Sequence, residues 1–343
     1  MLQGDRVKMM NVAIIGASGY TGLELIKLLI NHPKFNITYI ANSSGDINVQ
    51  DLHPCLKDVI NMDVELADAS QVANVAQVAF LALPHKTAMS FAKDLIKLGV
   101  KVIDLSADYR LELETYEKHY CAHEDKENIK NAVYGLPEYF KEDIRNASLI
   151  ANPGCYPTAT LLALLPYIDY IDTDAPIFID AKSGVSGAGK NPSETTHFCQ
   201  INDNMHAYNP FKHRHMPEIE EKIRILKNKE VSINFVPHLV PLTRGMLVSV
   251  YATLKEDIDV TTVISERYKD CEFVRIREKP VDVKSVAGTN FCDLFAAKNG
   301  KALFVSSAID NLLRGASSQA VVNANIICGY DEFEGIPIIA YVP

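Results

Sequence analysis

No two of the seven cysteines, at positions 55, 121, 155, 199, 271, 292 and 328, form a CxxC pair. An odd count closes no disulfide set, so the pattern argues against a disulfide scaffold and for free thiols in a reducing, cytoplasmic setting. No apolar run approaches the ~18 residues that a membrane-spanning helix needs. The first ten residues, MLQGDRVKMM, lack the apolar core of a signal peptide. Positive charge is in deficit. The 34 Lys and Arg stand against 43 Asp and Glu, a net charge of −9, which gives no electrostatic support for a nucleic-acid or membrane-surface partner. Internal repeats, low-complexity tracts and long charge runs are also missing, and no metal is expected.

What remains is a 343-residue chain that is 48% hydrophobic, enough for a large core and for about two domains. The first third alternates strand and helix. NVAIIG (11–16) reads as a buried strand, GLELIKLLINHP (22–33) as a helix that proline ends, and ITYIANSS (37–44) as the next strand. VAFLALP (78–84) and VKVIDLSAD (100–108) are further strands around the helical TAMSFAKDLIKLG, and SLIANPG (148–154) is another. Such alternation predicts a parallel sheet with helices on both faces and functional loops at the strands' carboxyl ends.

After residue 150 the pattern changes. IFIDAKSGVSGAG (177–189) reads as a strand entering a glycine-rich loop. SINFVPHLVPL, GMLVSVYATL, SVAGTNFCDLFAA and KALFVSSAID read as longer strands, with helices at 217–228 and 261–271. The fold class expected is α/β: a Rossmann-type dinucleotide-binding domain plus an α+β domain with a mainly antiparallel sheet. A final helix over 311–329 is expected to return to the first domain. The domains are therefore placed at 1–150 with 311–343, and at 151–310.

The loop GASGYTG sets glycines at 16, 19 and 22, a GxxGxxG spacing rather than GxGxxG. A tight turn, close backbone approach and a helix N-terminus still make a phosphate cradle. Gly16, Ser18, Gly19, Tyr20, Thr21 and Gly22 are its candidate residues; the plainer alternative is an ordinary strand–helix turn. At the end of the second strand, where an acid usually holds a ribose, the chain reads Ala41, Asn42, Ser43, Ser44. Lack of that acid leans towards NADP over NAD.

In ANPGCYPTATLLALLPY, Cys155 stands between strand and helix, not inside the apolar run. Backbone N–H groups at such a corner stabilise a thiolate and hold an oxyanion when the sulfur attacks a carbonyl. The alternative is an inert buried cysteine, the usual state of free cysteines. A nucleophile needs a proton carrier, and KHRHMPEIE (212–220) offers His213, Arg214 and His215 beside Pro217 and Glu218. An idle polar loop is the competing reading. His85 is a weaker candidate for a cofactor contact.

GASGYTG, SADYR (106–110), YGLPE (134–138), ANPGCYPTA (151–159), SGVSGAGK (183–190), HRHMPEI (213–219) and AIDNLLRGA (308–316) occur in that order. Together they resemble the N-acetyl-gamma-glutamyl-phosphate reductase family of arginine biosynthesis, from about residue 10 to the C-terminus. The family is grouped with aspartate-semialdehyde and glyceraldehyde-phosphate dehydrogenases.

The resemblance implies that Cys155 attacks an acyl phosphate and that NADPH reduces the resulting thioester. It implies His215 as acid/base, with His213 and Arg214 lining the site and Glu218 orienting a histidine. Ser186 and Gly187 are expected near the cofactor, and Asn311 at the nicotinamide. A substrate with phosphate and carboxylate needs local cations, and Arg110, Lys190, Arg214 and Arg244 are the candidates. The loop ANSSGDINVQ departs from the family by lacking arginine, which leaves Ser43 and Ser44 as the expected phosphate contacts. A homodimer or homotetramer is expected, since the broad second sheet needs its outer face covered. A substrate one carbon longer, or a carrier-linked one, would use the same residues. An acyl hydrolase would leave the glycine loop idle, and a non-catalytic dinucleotide sensor would leave Cys155 idle.

Overall fold

The computed structural model describes residues 9–341; the stretch before them, which holds most of the segment read as lacking a signal core, and the last two residues lie outside the described residues. The chain divides into two compact units. One runs to Asn152 and includes Ala320–Ile336, and the other comprises Pro153–Gln319 and the stretch from Pro337.

The first unit contains β1 (Met10–Ile15), α1 (Tyr20–Ile30), β2 (Phe35–Asn42), β3 (Ile47–Asn48), α2 (Val49–Leu52), β4 (Asp63–Leu66), α3 (Ala69–Val75) and β5 (Val78–Leu81). It continues with α4 (Ala88–Lys97), β6 (Lys101–Asp104), α5 (Leu113–His119), β7 (Val133–Tyr134), α6 (Pro137–Asn146) and β8 (Leu149–Ala151). The sheet order is β3-β4-β2-β1-β5-β6-β8-β7, parallel at every joint except β3–β4. Val12–Ile15 and Val78–Leu81 are wholly buried, the mark of strands covered on both faces. Strand order reverses at β1, between β2 and β5, which opens a crevice beyond its carboxyl end. GASGYTG begins there.

The second unit contains α7 (Cys155–Leu164), β9 (Ile177–Gly184), α8 (Phe198–Ile201), β10 (His206–Ala207), α9 (Met216–Lys227), β11 (Ile233–Val240) and β12 (Met246–Thr253). It continues with α10 (Val260–Tyr268), β13 (Val274–Ile276), β14 (Cys292–Asn299) and β15 (Ala302–Ile309); α11 (Ser317–Ile327) begins here and ends among residues of the first unit. The sheet order is β10-β11-β9-β12-β15-β14-β13. Four of its six joints are antiparallel and two, β11–β9 and β14–β13, are parallel. The sheet is mainly antiparallel, as expected, with these two parallel joints.

One face of this sheet lies under α7, whose residues Tyr156–Leu164 are all buried. A helix that is apolar all round belongs in the interior, not on a surface. On the other face Tyr251 pairs in register with Phe178 on one side and Phe304 on the other. Phe178 is 51% and Tyr251 46% exposed.

Two sequence expectations change. Residues 311–316 form turns, and the last helix begins at Ser317. The cause is Asp310, whose carboxylate accepts the N–H groups of Leu312 and Leu313 and so offers the backbone an alternative to the helix. SVAGTN also turns instead of extending, and its strand begins only at Cys292. Gly288 there is left-handed (φ +85°), and Thr289 Oγ1 donates to the Val286 carbonyl.

Candidate active site

In the first unit the glycine loop is shaped by close packing. Gly16 is left-handed (φ +96°), and a Cβ there would strike the carbonyl of Ala82. A Cβ on Gly22 would strike the Gly16 carbonyl, so the first turn of α1 lies directly on the loop. Gly19 differs: it caps α1 with ordinary backbone angles, and nothing lies within 4 Å of a Cβ placed on it. That open approach to a helix N-terminus is what a phosphate requires. Tyr20, at 39% exposure, and Thr21 continue the open side into α1.

Asn42 occupies the place of the missing acid. Its Oδ1 accepts the N–H groups of Ser44 (2.9 Å) and Gly45 (2.7 Å), and its Nδ2 donates to Ser18 Oγ (3.1 Å). The side chain therefore ties the β2 loop to the glycine loop and presents Ser43 and Ser44, both exposed. His53 Nε2 donates to the Ala17 carbonyl at 2.7 Å, a second brace on the glycine loop. Sequence reading missed both residues; Asn42 was visible as the residue standing where the acid belongs.

SADYR builds a buried polar hub. The Asp108 carboxylate accepts the N–H groups of Lys86 and Met89 and the Tyr116 hydroxyl, which fixes the entry to α4. The Asp104 carboxylate accepts Ser106 N–H and Oγ–H, which ends β6 before the loop. Burial, and then the neighbouring Asp108 charge, push the Asp104 carboxyl up to about 7. His85 Nδ1 accepts the Ala107 N–H. Arg110 is buried; it donates to the carbonyls of Asn152 and Leu105, each at 2.7 Å, and so holds the chain just before the cysteine turn.

In the second unit Cys155 is the first residue of α7. Glu218 Oε1, on α9, accepts the Gly154 N–H at 3.0 Å. Thr158 gives both its N–H and its hydroxyl to the Gly154 carbonyl. Pro157 has no N–H, so Cys155 and Tyr156 supply the first-turn donors that the helix ladder does not consume. Glu218 thus grips the turn that carries the thiol, a contact that sequence reading did not foresee for it.

Tyr156 joins the thiol's helix to the histidines. Its ring meets those of His213 and His215 edge-on, at 5.4 and 5.9 Å between centroids, and its hydroxyl lies 3.1 Å from that of Tyr208. Burial pushes the Tyr156 phenol far up and the Tyr208 phenol up to about 12, so both stay neutral. His213 is pushed down to about 4, by burial first and then by the Arg214 charge.

Asn311 bridges two loops: its Oδ1 accepts the Gly245 N–H (2.6 Å) and its Nδ2 donates to Ser186 Oγ (3.0 Å). Gly187 lies beside Asn311 and Ser183. Arg244 Nε lies 3.4 Å from the buried Asp310 carboxylate. Gly315 closes the circle, since a Cβ there would come within 2.7 Å of Cys155 Cβ and 2.6 Å of the Asn311 carbonyl. Structure therefore gathers Cys155, His213, His215, Glu218, Ser186, Gly187, Asn311 and Arg244 in this unit, whereas Lys190 and Arg214 lie on exposed loop. Among the described residues, no group of three or more His, Cys, Asp and Glu side chains is arranged to hold a metal, and no helix is long and apolar enough to cross a membrane.

Residues 11–147 match the family "Semialdehyde dehydrogenase, NAD binding domain", and residues 155–311 match "Semialdehyde dehydrogenase, dimerisation domain". The chain is 64% identical over 335 residues to the N-acetyl-gamma-glutamyl-phosphate reductase of Sulfurovum sp. (strain NBC37-1), covering 98% of this chain and 100% of that one. It is 56% identical to the enzyme of the same name from Wolinella succinogenes, at 98% and 100% coverage. Among solved structures it is similar in fold to aspartate semialdehyde dehydrogenase II from Vibrio cholerae, with a TM-score of 0.73, 20% identity and coverage of 94% and 99%. The aspartate semialdehyde dehydrogenase with NADP from Candida albicans gives a TM-score of 0.72 at 14% identity, with the same coverage.

Proposed function

Because the chain belongs to the N-acetyl-gamma-glutamyl-phosphate reductase family, oxidoreductases of the semialdehyde dehydrogenase group, we propose that it reduces N-acetyl-gamma-glutamyl phosphate to the 5-semialdehyde through a Cys155 thioester. The observation that carries this reading is the position of Cys155 on the first turn of α7, joined to His213 and His215 through the Tyr156 ring.

The Cys155 thiolate attacks the acyl carbonyl, and the C–O bond to phosphate breaks as the C–S bond forms. The N–H groups of Cys155 and Tyr156 receive the oxyanion. Bound at the glycine loop, NADPH supplies the hydride that brings the thioester to the aldehyde level. His215 protonates the resulting oxyanion and takes the proton back as the C–S bond breaks, which frees aldehyde and thiolate. Lys190, Arg214 and Arg244 receive the substrate's phosphate and carboxylate, while Arg110, whose donors reach the Asn152 and Leu105 carbonyls, braces the chain ahead of the cysteine turn.

The dinucleotide-binding loop fits its ligand: Gly19 is open, and Gly16 and Gly22 keep the turn tight. Gly16, Ser18, Gly19, Tyr20, Thr21 and Gly22 hold the pyrophosphate, with Ser186, Gly187 and Asn311 at the nicotinamide end. NADP is favoured because Asn42 stands where an acid would repel a 2′-phosphate, with Ser43 and Ser44 beside it. Self-association uses the outer face of the second sheet, where Phe178, Tyr251 and Phe304 form a file within the matched dimerisation domain. Seven free cysteines suit a reducing, cytoplasmic compartment.

The test is phosphate-dependent reduction of NADP, and separately of NAD, with N-acetylglutamate semialdehyde, for wild type and Cys155→Ser. The expected result is turnover that needs both phosphate and Cys155, is faster with NADP, and leaves dinucleotide binding intact in the variant. Turnover retained by Cys155→Ser overturns the thioester route.

A further inference from the structure

We infer that His213 is a positioning residue that sets the backbone of His215 and carries no proton in the reaction. This inference rests on the proposed function and deepens it. His213 Nδ1 accepts the N–H of His215 at 3.1 Å. An accepting nitrogen bears no proton, so neutral His213 is the Nε2–H tautomer. That bond closes a short turn in which Met216 N–H also returns to the His213 carbonyl at 3.0 Å, immediately ahead of α9.

The ring is held from several sides. Tyr156 and Tyr208 meet it edge-on at 5.4 and 5.7 Å, Phe235 lies tilted at 5.5 Å, and the His215 ring lies at 4.8 Å. A side chain wedged among three aromatic rings and committed through one nitrogen is built to hold a shape. The charged and titratable groups that face it are Arg214 and His215 on its own segment, Tyr156 on α7 and Tyr208 after β10. None of them is an anion that would favour an imidazolium, and burial with the Arg214 charge holds His213 neutral in the physiological range.

Residue type alone leaves the two histidines of HRH equivalent as proton carriers, and the family resemblance, which assigns the proton to His215, gives His213 no more than a place in the lining. Here one histidine is consumed in fixing the other. Because Nδ1 is the atom in use, asparagine is the informative replacement. Its Oδ1 falls near the position of Nδ1 and can accept the same N–H, but it cannot titrate.

The experiment compares His213→Asn, His213→Leu and His215→Asn in the full-length protein. The readouts are the pH profile of kcat, KM for the acyl phosphate, NADP affinity by fluorescence, thermal melting, and the iodoacetamide alkylation rate of Cys155. His213→Asn is expected to retain kcat within about tenfold and to keep both limbs of the wild-type profile, as a restored hydrogen bond of modest net worth implies. His213→Leu is expected to lose roughly 10–100-fold in kcat with little change in KM or NADP affinity. His215→Asn is expected to lose ~10²–10⁴-fold together with one limb of the profile.

If His213→Asn loses that limb as His215→Asn does, His213 is the proton carrier and the inference is overturned. Wild-type kcat in His213→Leu overturns it as well. Should the leucine variant not fold, the asparagine variant still decides. Failure of the proposed function looks different: Cys155→Ser and His215→Asn would then both turn over normally.

Discussion

The carboxylate of Glu218 accepts the backbone N–H of Gly154 at 3.0 Å, one residue before the thiol, and Glu218 is 1% exposed. An acid on α9 thereby fixes the turn at the head of α7. Glu218→Ala strands a buried N–H and is expected to cost about 1–3 kcal/mol by chemical denaturation, whereas Glu218→Gln keeps an acceptor and costs less. Equal losses in the two variants would show that the charge, and not the acceptor, matters.

Gly315 and Gly19 make a contrasting pair. Gly315→Ala drives a methyl group against Cys155 Cβ and the Asn311 carbonyl, so it should destabilise the protein by about 1–3 kcal/mol and slow alkylation of Cys155. Gly19→Ala meets open space and keeps ordinary backbone angles, so melting should be nearly unchanged while NADP affinity falls by about tenfold, or ~1.4 kcal/mol. Wild-type affinity in Gly19→Ala would mean that no phosphate approaches that point.

Asp104 gives stability a pH dependence of known sign. Its folded value lies near 7, above the ordinary 3.8, because it is buried beside Asp108. Between those values the native state holds a proton that the unfolded chain has lost. This contribution is fully present below the ordinary value and disappears as pH rises through about 7. Asp104→Asn removes the titration. Wild type should therefore lose stability relative to the variant by a few kcal/mol, as an order of magnitude, between mildly acidic and neutral pH. A pH-independent difference in denaturation midpoints would refute the assignment.

Charges placed on the outer face of the second sheet should break self-association. Tyr251→Glu combined with Phe178→Glu changes two exposed side chains, so the fold should persist while light scattering reports a smaller species. An unchanged mass would move the interface elsewhere.

The alternation of buried strands and helices in the first third, and the longer alternating strands after Cys155, made both architectures legible from periodicity. Elements with little burial were not. β4 (DVEL) buries only Val64 and carries no clear pattern. The turn at 311–316 was masked because its cause is one side chain, Asp310, bonding to its own backbone, while the segment's apolar residues still fall at helical spacing.

The site divides similarly. Cys155 and the HRH histidines were readable as chemistry, because a thiol at a strand–helix corner and adjacent histidines are unusual placements. Tyr156, Tyr208, Gly315 and the Glu218–Gly154 bond were not, because their roles depend on pairings across roughly 50 to 160 residues of chain. Arg110 read as an anion ligand by its charge, yet its donors reach two backbone carbonyls, a use that charge alone does not reveal.

A helix buried on every side has no partially opened form that spares the rest of its unit. The amides of α7 should exchange with solvent only when that whole unit unfolds, because none of Tyr156–Leu164 faces water. Cys155, the proposed nucleophile, is mounted on that helix, so the enzyme cannot lose the geometry of that turn gradually. Denaturation should abolish turnover and tertiary structure in a single transition, and a substitution that weakens the second unit's core should reduce the number of competent molecules while leaving the rate of each unchanged.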